Sequence, residues 1–109
     1  MFAVNAQFSP EQVVEVRGEA KTFNGLKLDG VGIAGSNRGL EFHFCPTCGS
    51  TVYRTMEGEP PPFVAIGVGN FVEPDFPGPV VEVFCATRHH WVPPVAAAAQ
   101  FDSLPTSWS

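Results

Sequence analysis

The segment that most constrains this chain is Phe44-Cys45-Pro46-Thr47-Cys48-Gly49-Ser50, a Cys-x-x-Cys turn closed by glycine. Leu40, Phe42 and Phe44 alternate with Glu41 and His43 before it, and Thr51-Val52-Tyr53-Arg54-Thr55 follows it with β-branched and aromatic residues. Both flanks therefore read as strands, with the cysteines at a hairpin tip. Pro46 presets φ for a turn, and Gly49 takes positive φ at no steric cost, so backbone N–H groups can point at the sulfurs. This is the shape of a zinc knuckle. A thioredoxin-like redox pair sits between a strand and a helix, where the helix N-terminus lowers the thiol pKa, and nothing after Gly49 has a helical pattern. Zinc binding leads, while a disulfide or redox pair and two reduced thiols without metal stay open.

A closed structural Zn²⁺ site takes four N or S ligands in a tetrahedron. Beyond Cys45 and Cys48, the chain offers only Cys85, His43, His89 and His90. Cys85 falls in an apolar strand pattern, where a cysteine is usually a small buried hydrophobe. His43 alternates with Phe42 and Phe44 and so is expected on the opposite face, toward solvent. His89 and His90 are adjacent, so on a strand they point to opposite faces and at most one could join the pair; surface packing is their default. Trp91 and Trp108 could serve as ligand platforms, but large aromatics in so small a chain usually close the core. The metal ligands expected from the sequence are Cys45 and Cys48, for Zn²⁺ that is either partly occupying the site or absent from it.

Composition narrows the class. The chain has 109 residues, a length at which about two thirds of the unfolded surface is buried in one core. Eleven glycines, 11 prolines and only 16% charged residues imply many turns and few long helices, hence a mainly β architecture. The formal net charge is −5, and no Lys/Arg cluster is present to hold nucleic acid or an anionic membrane. A small molecule or a protein is the expected partner. No apolar run approaches the ~20 residues of a membrane span, the N-terminus lacks the pattern of a signal peptide, and an odd cysteine count fits a reducing cytoplasm.

Strand patterns punctuated by turns run along the chain. Phe2–Phe8 alternates, Ser9-Pro10-Glu11-Gln12 reads as a Ser-capped turn with Pro in the first helical position, and Val13–Gly18 returns to strand. Lys21-Thr22-Phe23 is a further short strand, Asn24-Gly25 and Asp29-Gly30 are hairpin-type dipeptides, and Val31–Gly39 is glycine-rich and weakly patterned. After the knuckle come strands over Phe63–Gly69 and Val80–Cys85, separated by proline-rich loops. The alanine run Ala96–Ala99 is too short to hold a helix alone.

The order of these motifs is specific. Phe44-Cys45-Pro46-Thr47-Cys48-Gly49-Ser50, then an apolar strand with Gly67-x-Gly69, Pro79, another apolar strand and Arg88-x-x-Trp91 together resemble the glutathione-dependent formaldehyde-activating enzyme family of carbon–sulfur lyases. Phe2–Ala6 and Val14–Phe23 are similar to the family's stretch upstream of the knuckle, so the resemblance covers nearly the whole chain. It implies a β-tent of stacked short antiparallel sheets carrying two zinc ions, formed here by a single domain over 1–95 with a tail over 96–109. It also implies a zinc-dependent activity on a small thiol/aldehyde adduct, with glutathione as the typical thiol. Relatives include centromere-associated and nucleotide-exchange-modulating proteins that are not enzymes, so the alternative is a non-catalytic zinc-knuckle binding or scaffold domain.

The sequence departs from that family in one place. Members carry a Cys-x-Cys pair and a Cys-x-Cys-x-x-Cys cluster ahead of the segment that resembles Phe2-Ala3-Val4; the first completes the structural zinc and the second holds the zinc associated with catalysis. The chain begins after both. By resemblance Cys45 and Cys48 are two of four structural ligands, the catalytic residues are unknown, and Glu82 replaces a histidine often found before the closing tryptophan. A half site contributes far less than the ~10–16 kcal/mol of a complete thiolate zinc site, so the fold is expected to rely on its phenylalanines and valines, or on ligands from a second copy in a homodimer.

Overall fold

The computed structural model describes residues 3–25 and 39–105, which fall in two compact units, Met1–Pro74 and Asp75–Ser109. Expectations for Phe2, the Asp29-Gly30 dipeptide, the glycine-rich stretch over 31–38 and Trp108 lie outside the described residues.

The first unit is a five-stranded antiparallel sheet. Its strands are β1 (Asn5–Phe8), β2 (Lys21–Asn24), β3 (Leu40–Phe44), β4 (Thr51–Met56) and β5 (Val64–Gly67), in the order β1-β5-β4-β3-β2. The fold is mainly β, as expected, and the helical elements among the described residues are single 3₁₀ turns. The first of these, Pro10–Gln12, is the Ser-capped turn read from the sequence. The Gln12 Oε1 accepts hydrogen bonds from the Ser9 N–H at 2.8 Å and the Ser9 hydroxyl at 3.2 Å, and the proline fills a position whose N–H would have no intrahelical partner.

Register sets the two faces of the sheet. His43 pairs with Tyr53 and Glu41 with Thr55 across β3 and β4, while Tyr53 pairs with Ile66 and Thr55 with Val64 across β4 and β5. Because side chains alternate along a strand, Glu41, His43, Tyr53, Thr55, Val64 and Ile66 share one face. Phe42, Arg54 and Ala65 share the other. On that face the Arg54 guanidinium lies 5.8 Å from the Phe42 ring centroid, donates to the Asn5 side-chain oxygen and is lowered from its ordinary pKa by burial.

Four expectations are corrected. Val13–Gly18 forms no strand; Val14 is 98% exposed. The alternation there describes side chains, and a strand also needs a neighbour to take its backbone hydrogen bonds. The Phe63–Gly69 pattern yields a strand only over Val64–Gly67, followed by a 3₁₀ turn at Val68–Asn70. The apolar core is thinner than the phenylalanine count implies. Val64, Ala65 and Pro105 are the buried apolar side chains among the described residues, Phe23 and Phe101 are exposed, and the other described phenylalanines are half-buried. Aromatic edges instead meet in pairs, Phe8 with Phe71 at 6.4 Å and Phe23 with Phe42 at 6.5 Å. Trp91 does not close a core. It is 67% exposed and stacks on His89 at 5.5 Å.

The second unit carries two short strands, β6 (Val81–Glu82) and β7 (Ala99–Gln100), which pair in parallel rather than antiparallel. The strand expected over Val80–Cys85 is cut short because Phe84 adopts φ 58°, in the left-handed region, and Cys85 opens a 3₁₀ turn that runs to Thr87. An extended strand cannot pass through such a residue. Cys85 therefore does not sit in a strand.

Candidate functional site

The turn between β3 and β4 holds Cys45 and Cys48. The Cys45 N–H donates to the Ser50 carbonyl at 2.9 Å, the Gly49 N–H donates to the Cys45 carbonyl at 2.8 Å, and Gly49 has φ +78°. Those bonds close the tip, and the register shift between His43 and Phe44 lets β4 leave it after the extra residue Val52, as a bulge does. Glycine is needed at position 49 for its backbone: an added Cβ would meet nothing within 4 Å, but a side chain there would be strained. Both cysteines lie at the hairpin tip read from the sequence.

Cys45 is half-buried and Cys48 exposed. Cys48 Sγ lies 3.3 Å from Ser50 Oγ. The Ser50 hydroxyl holds the Cys48 thiol below its ordinary pKa of 9.0, helped by the Ser50 backbone and by the Cys45 thiol, because each hydrogen bond favours the thiolate.

His43 does not face solvent. Its side chain is 13% exposed, stacked on Tyr53 with centroids 4.0 Å apart and an interplanar angle of 10°. Its Nε2 lies 2.9 Å from Glu41 Oε1 and 3.3 Å from Thr55 Oγ1. The solvent-facing expectation followed correctly from alternation, but both faces of β3 are covered to a similar degree. Because Glu41 and Thr55 meet the same ring nitrogen, this is not the relay of a nucleophile and an acid on opposite nitrogens. Single-sequence periodicity places Glu41 and His43 on one face; Tyr53 and Thr55 join them only through the β3–β4 register.

A second polar cluster surrounds Glu82. Its Oε2 accepts from the Val95 N–H at 3.0 Å, from Arg88 Nη2 at 3.2 Å and from the Gln100 amide. The Gln100 amide is the main cause of a Glu82 carboxyl below its ordinary 4.5, with the Val95 N–H and the Arg88 charge adding to it. Arg88 Nη2 also lies 3.1 Å from Cys85 Sγ, and that thiol lies 3.4 Å from Gln100 Oε1. Sequence reasoning missed this cluster, whose members are separated by up to 18 positions and follow no periodicity. His89 and His90 are exposed, as expected for surface packing.

Neither of two open clefts formed by described residues includes a cysteine. One, of about 600 Å³, is lined by residues that include Asn24, Leu40, Glu41, Thr55, Glu57 and Glu59. Its carboxylates make it a poor seat for an anionic ligand. The other is lined by Ser9, Pro10, Glu11 and Pro60–Pro62.

The model of the family described as glutathione-dependent formaldehyde-activating enzyme matches residues 1–87. The chain belongs to this family. No curated protein and no solved structure matches it. Within the matched span lie the β3–β4 turn, the whole five-stranded sheet and Cys85.

The zinc associated with this family can be tested against the residues present. Cys45 and Cys48 supply two thiolates from one turn, but no group of three or more His, Cys, Asp or Glu side chains arranged to hold a metal occurs among the described residues. His43 is turned to Glu41 and Thr55, and Cys85 to Arg88 and Gln100. No buried side-chain N or O atom among the described residues lacks a partner, so no such atom is left aimed at an ion. These residues do not fit a closed four-ligand zinc site. They fit half of one. Among the described residues no helix is long and apolar enough to cross a membrane.

Proposed function

We propose that this chain is a carbon–sulfur lyase-family domain that recognises a small thiol/aldehyde adduct, such as that of glutathione with formaldehyde, with Cys45 and Cys48 as its contribution to a zinc-dependent site. The observation that carries this reading is the family match over residues 1–87, which spans the hairpin that presents both thiols. A pair of sulfurs fixed in one turn contributes geometry, holding two donors at a set separation before any ligand arrives. With two strong donors per chain, zinc is held substoichiometrically or between two chains, and a homodimer is the state in which the donor set reaches four. The small-molecule partner and a cytoplasmic setting follow from the same reading.

A second reading is favoured by one observation, the absence of a third converging donor among the described residues. On that reading the domain is a zinc-knuckle binding or scaffold module that does no chemistry. The two part on rate. Exchange NMR of glutathione and formaldehyde with the purified 109-residue chain measures S-hydroxymethylglutathione formation, and saturable chemical-shift changes in the Cys45–Ser50 amides measure binding. Binding that is lost in Cys45→Ser, without acceleration over the spontaneous reaction, is the expected result, since among the described residues no third His, Cys, Asp or Glu side chain converges on the thiol pair to act as general acid or base. Absence of saturable binding overturns adduct recognition and leaves the scaffold. Acceleration that vanishes in Cys45→Ser shows that the pair is catalytic and overturns the scaffold reading.

A further inference from the structure

Cys45 and Cys48 stand at positions i and i+3 of one turn, closed by the Gly49 to Cys45 and Cys45 to Ser50 backbone hydrogen bonds. A tight turn holds Cα atoms three residues apart within about 7 Å, and a disulfide needs them within roughly 4.4–6.8 Å. Both side chains spring from this one closed turn, and all three cysteines are free. Cys48 is exposed, so an oxidant in solution reaches it, and Cys45 stands behind it half-buried. Among the described residues no third His, Cys, Asp or Glu side chain converges with them to hold a metal. The third thiol, Cys85, is engaged by Arg88 and Gln100.

We propose that Cys45 and Cys48 are a redox modification site, closing to an intramolecular disulfide when a hydroperoxide reaches the turn and reopening to a dithiol when a thiol reductant does. In the first step the Cys48 sulfur attacks the terminal peroxide oxygen. The S–O bond forms, the O–O bond breaks, and the alcohol (water, from hydrogen peroxide) leaves with the thiol proton. In the second the Cys45 sulfur attacks Cys48 Sγ, the S–S bond forms, the S–O bond breaks, and hydroxide leaves to take the Cys45 proton as water. Two thiols and one hydroperoxide give one disulfide, one alcohol and one water; the cysteines lose two electrons and the peroxide gains them. Closure removes both thiolates as metal donors, so the turn alternates between a form that can bind a soft cation and one that cannot. This inference stands on the turn and not on which adduct the domain binds.

The test uses the full chain, reduced, freed of metal with EDTA and treated with one equivalent of hydrogen peroxide. Alkylatable thiols should fall from three per chain to one, intact mass should drop by two hydrogens with no added oxygen, and the remaining label should map to Cys85. Dithiothreitol should restore all three. Cys85→Ser should lose both of its thiols with the same mass change, and Cys45→Ser should instead accumulate a dimedone-reactive sulfenic acid on Cys48. The oxidised chain should no longer compete for Zn²⁺ with a colorimetric chelator, whereas the reduced chain should. Because the wild-type chain carries the principal readout, misfolding of a variant does not decide the outcome. Stable sulfenic or sulfinic acid on wild-type Cys48, intermolecular dimers in place of the internal bridge, or first oxidation at Cys85 would overturn the proposal. Bridge formation in a chain that binds no glutathione adduct would uphold it and overturn adduct recognition alone.

Discussion

The β3–β4 hairpin and the Glu82 cluster solve the same problem, holding a cysteine beside polar groups, in opposite ways. In the hairpin, backbone does the placing: a ladder of paired residues ends in a six-residue turn over 45–50 whose hydrogen bonds and left-handed glycine hold both thiols at one tip. Around Glu82, side chains do the placing, since β6 and β7 contribute only two residues each and Cys85 is surrounded by Arg88 and Gln100. The backbone-built site leaves Cys48 exposed and Cys45 half-buried. A side-chain-built site depends on every member of its network.

Changes to the hairpin backbone should therefore cost the most. Gly49→Val places a β-branched residue at φ +78°, a strain of about 1–3 kcal/mol, and should lower the thermal midpoint and splay the two thiols. Equilibrium urea unfolding and the loss of internal disulfide closure check both halves. Unchanged stability would mean that the turn is not held by its ladder.

His43→Ala removes the Tyr53 stack and the contacts with Glu41 and Thr55. With an aromatic pair worth about 0.5–1.5 kcal/mol and a net hydrogen bond about the same, the expected loss is about 1–2 kcal/mol, read by the same denaturation. Cys48 alkylation should change little, because the turn is closed by backbone hydrogen bonds. A large change in thiol reactivity would mean that the polar face and the turn act as one site.

The Glu82 cluster is separated from the hairpin by pH. A carboxyl held below its ordinary 4.5 in the folded state contributes stability that is present above the unfolded value and is lost as pH falls through the folded one. The Val95 backbone and Gln100 side-chain N–H resonances should shift together as pH falls below the ordinary 4.5 of the carboxyl, while the Cys45 and Gly49 amides should not follow that transition. In Glu82→Gln the shared transition should vanish. A hairpin titrating with the same midpoint would erase the contrast.

The smallest effect has the opposite sign. Ala97 has φ 66°, a conformation that costs a non-glycine residue about 1–2 kcal/mol, part of which glycine returns as extra freedom of the unfolded chain. Ala97→Gly should raise stability by a few tenths of a kcal/mol to about 1 kcal/mol, measurable as a small shift in urea midpoint. A loss would show that the alanine methyl is needed where the chain enters β7.

By itself the sequence determined what depends on neighbours along the chain. The strands that flank the Cys-x-x-Cys, the turn and its left-handed glycine, the Ser9–Gln12 cap and the family of residues 1–87 were all legible, because period-2 alternation and turn chemistry act within a few residues. Whether a pattern finds a partner was decided only by tertiary structure. Val13–Gly18 alternates as well as β3 does, yet no strand forms there. The Val80–Cys85 run is apolar, yet Phe84 turns left-handed and delivers Cys85 to Arg88. His43 is shielded because register sets Tyr53 opposite it, and Glu82 gathers donors from as far as Gln100. Pairing and burial are paid at long sequence separation, where the entropy of closing the chain is set against contacts that no local pattern encodes.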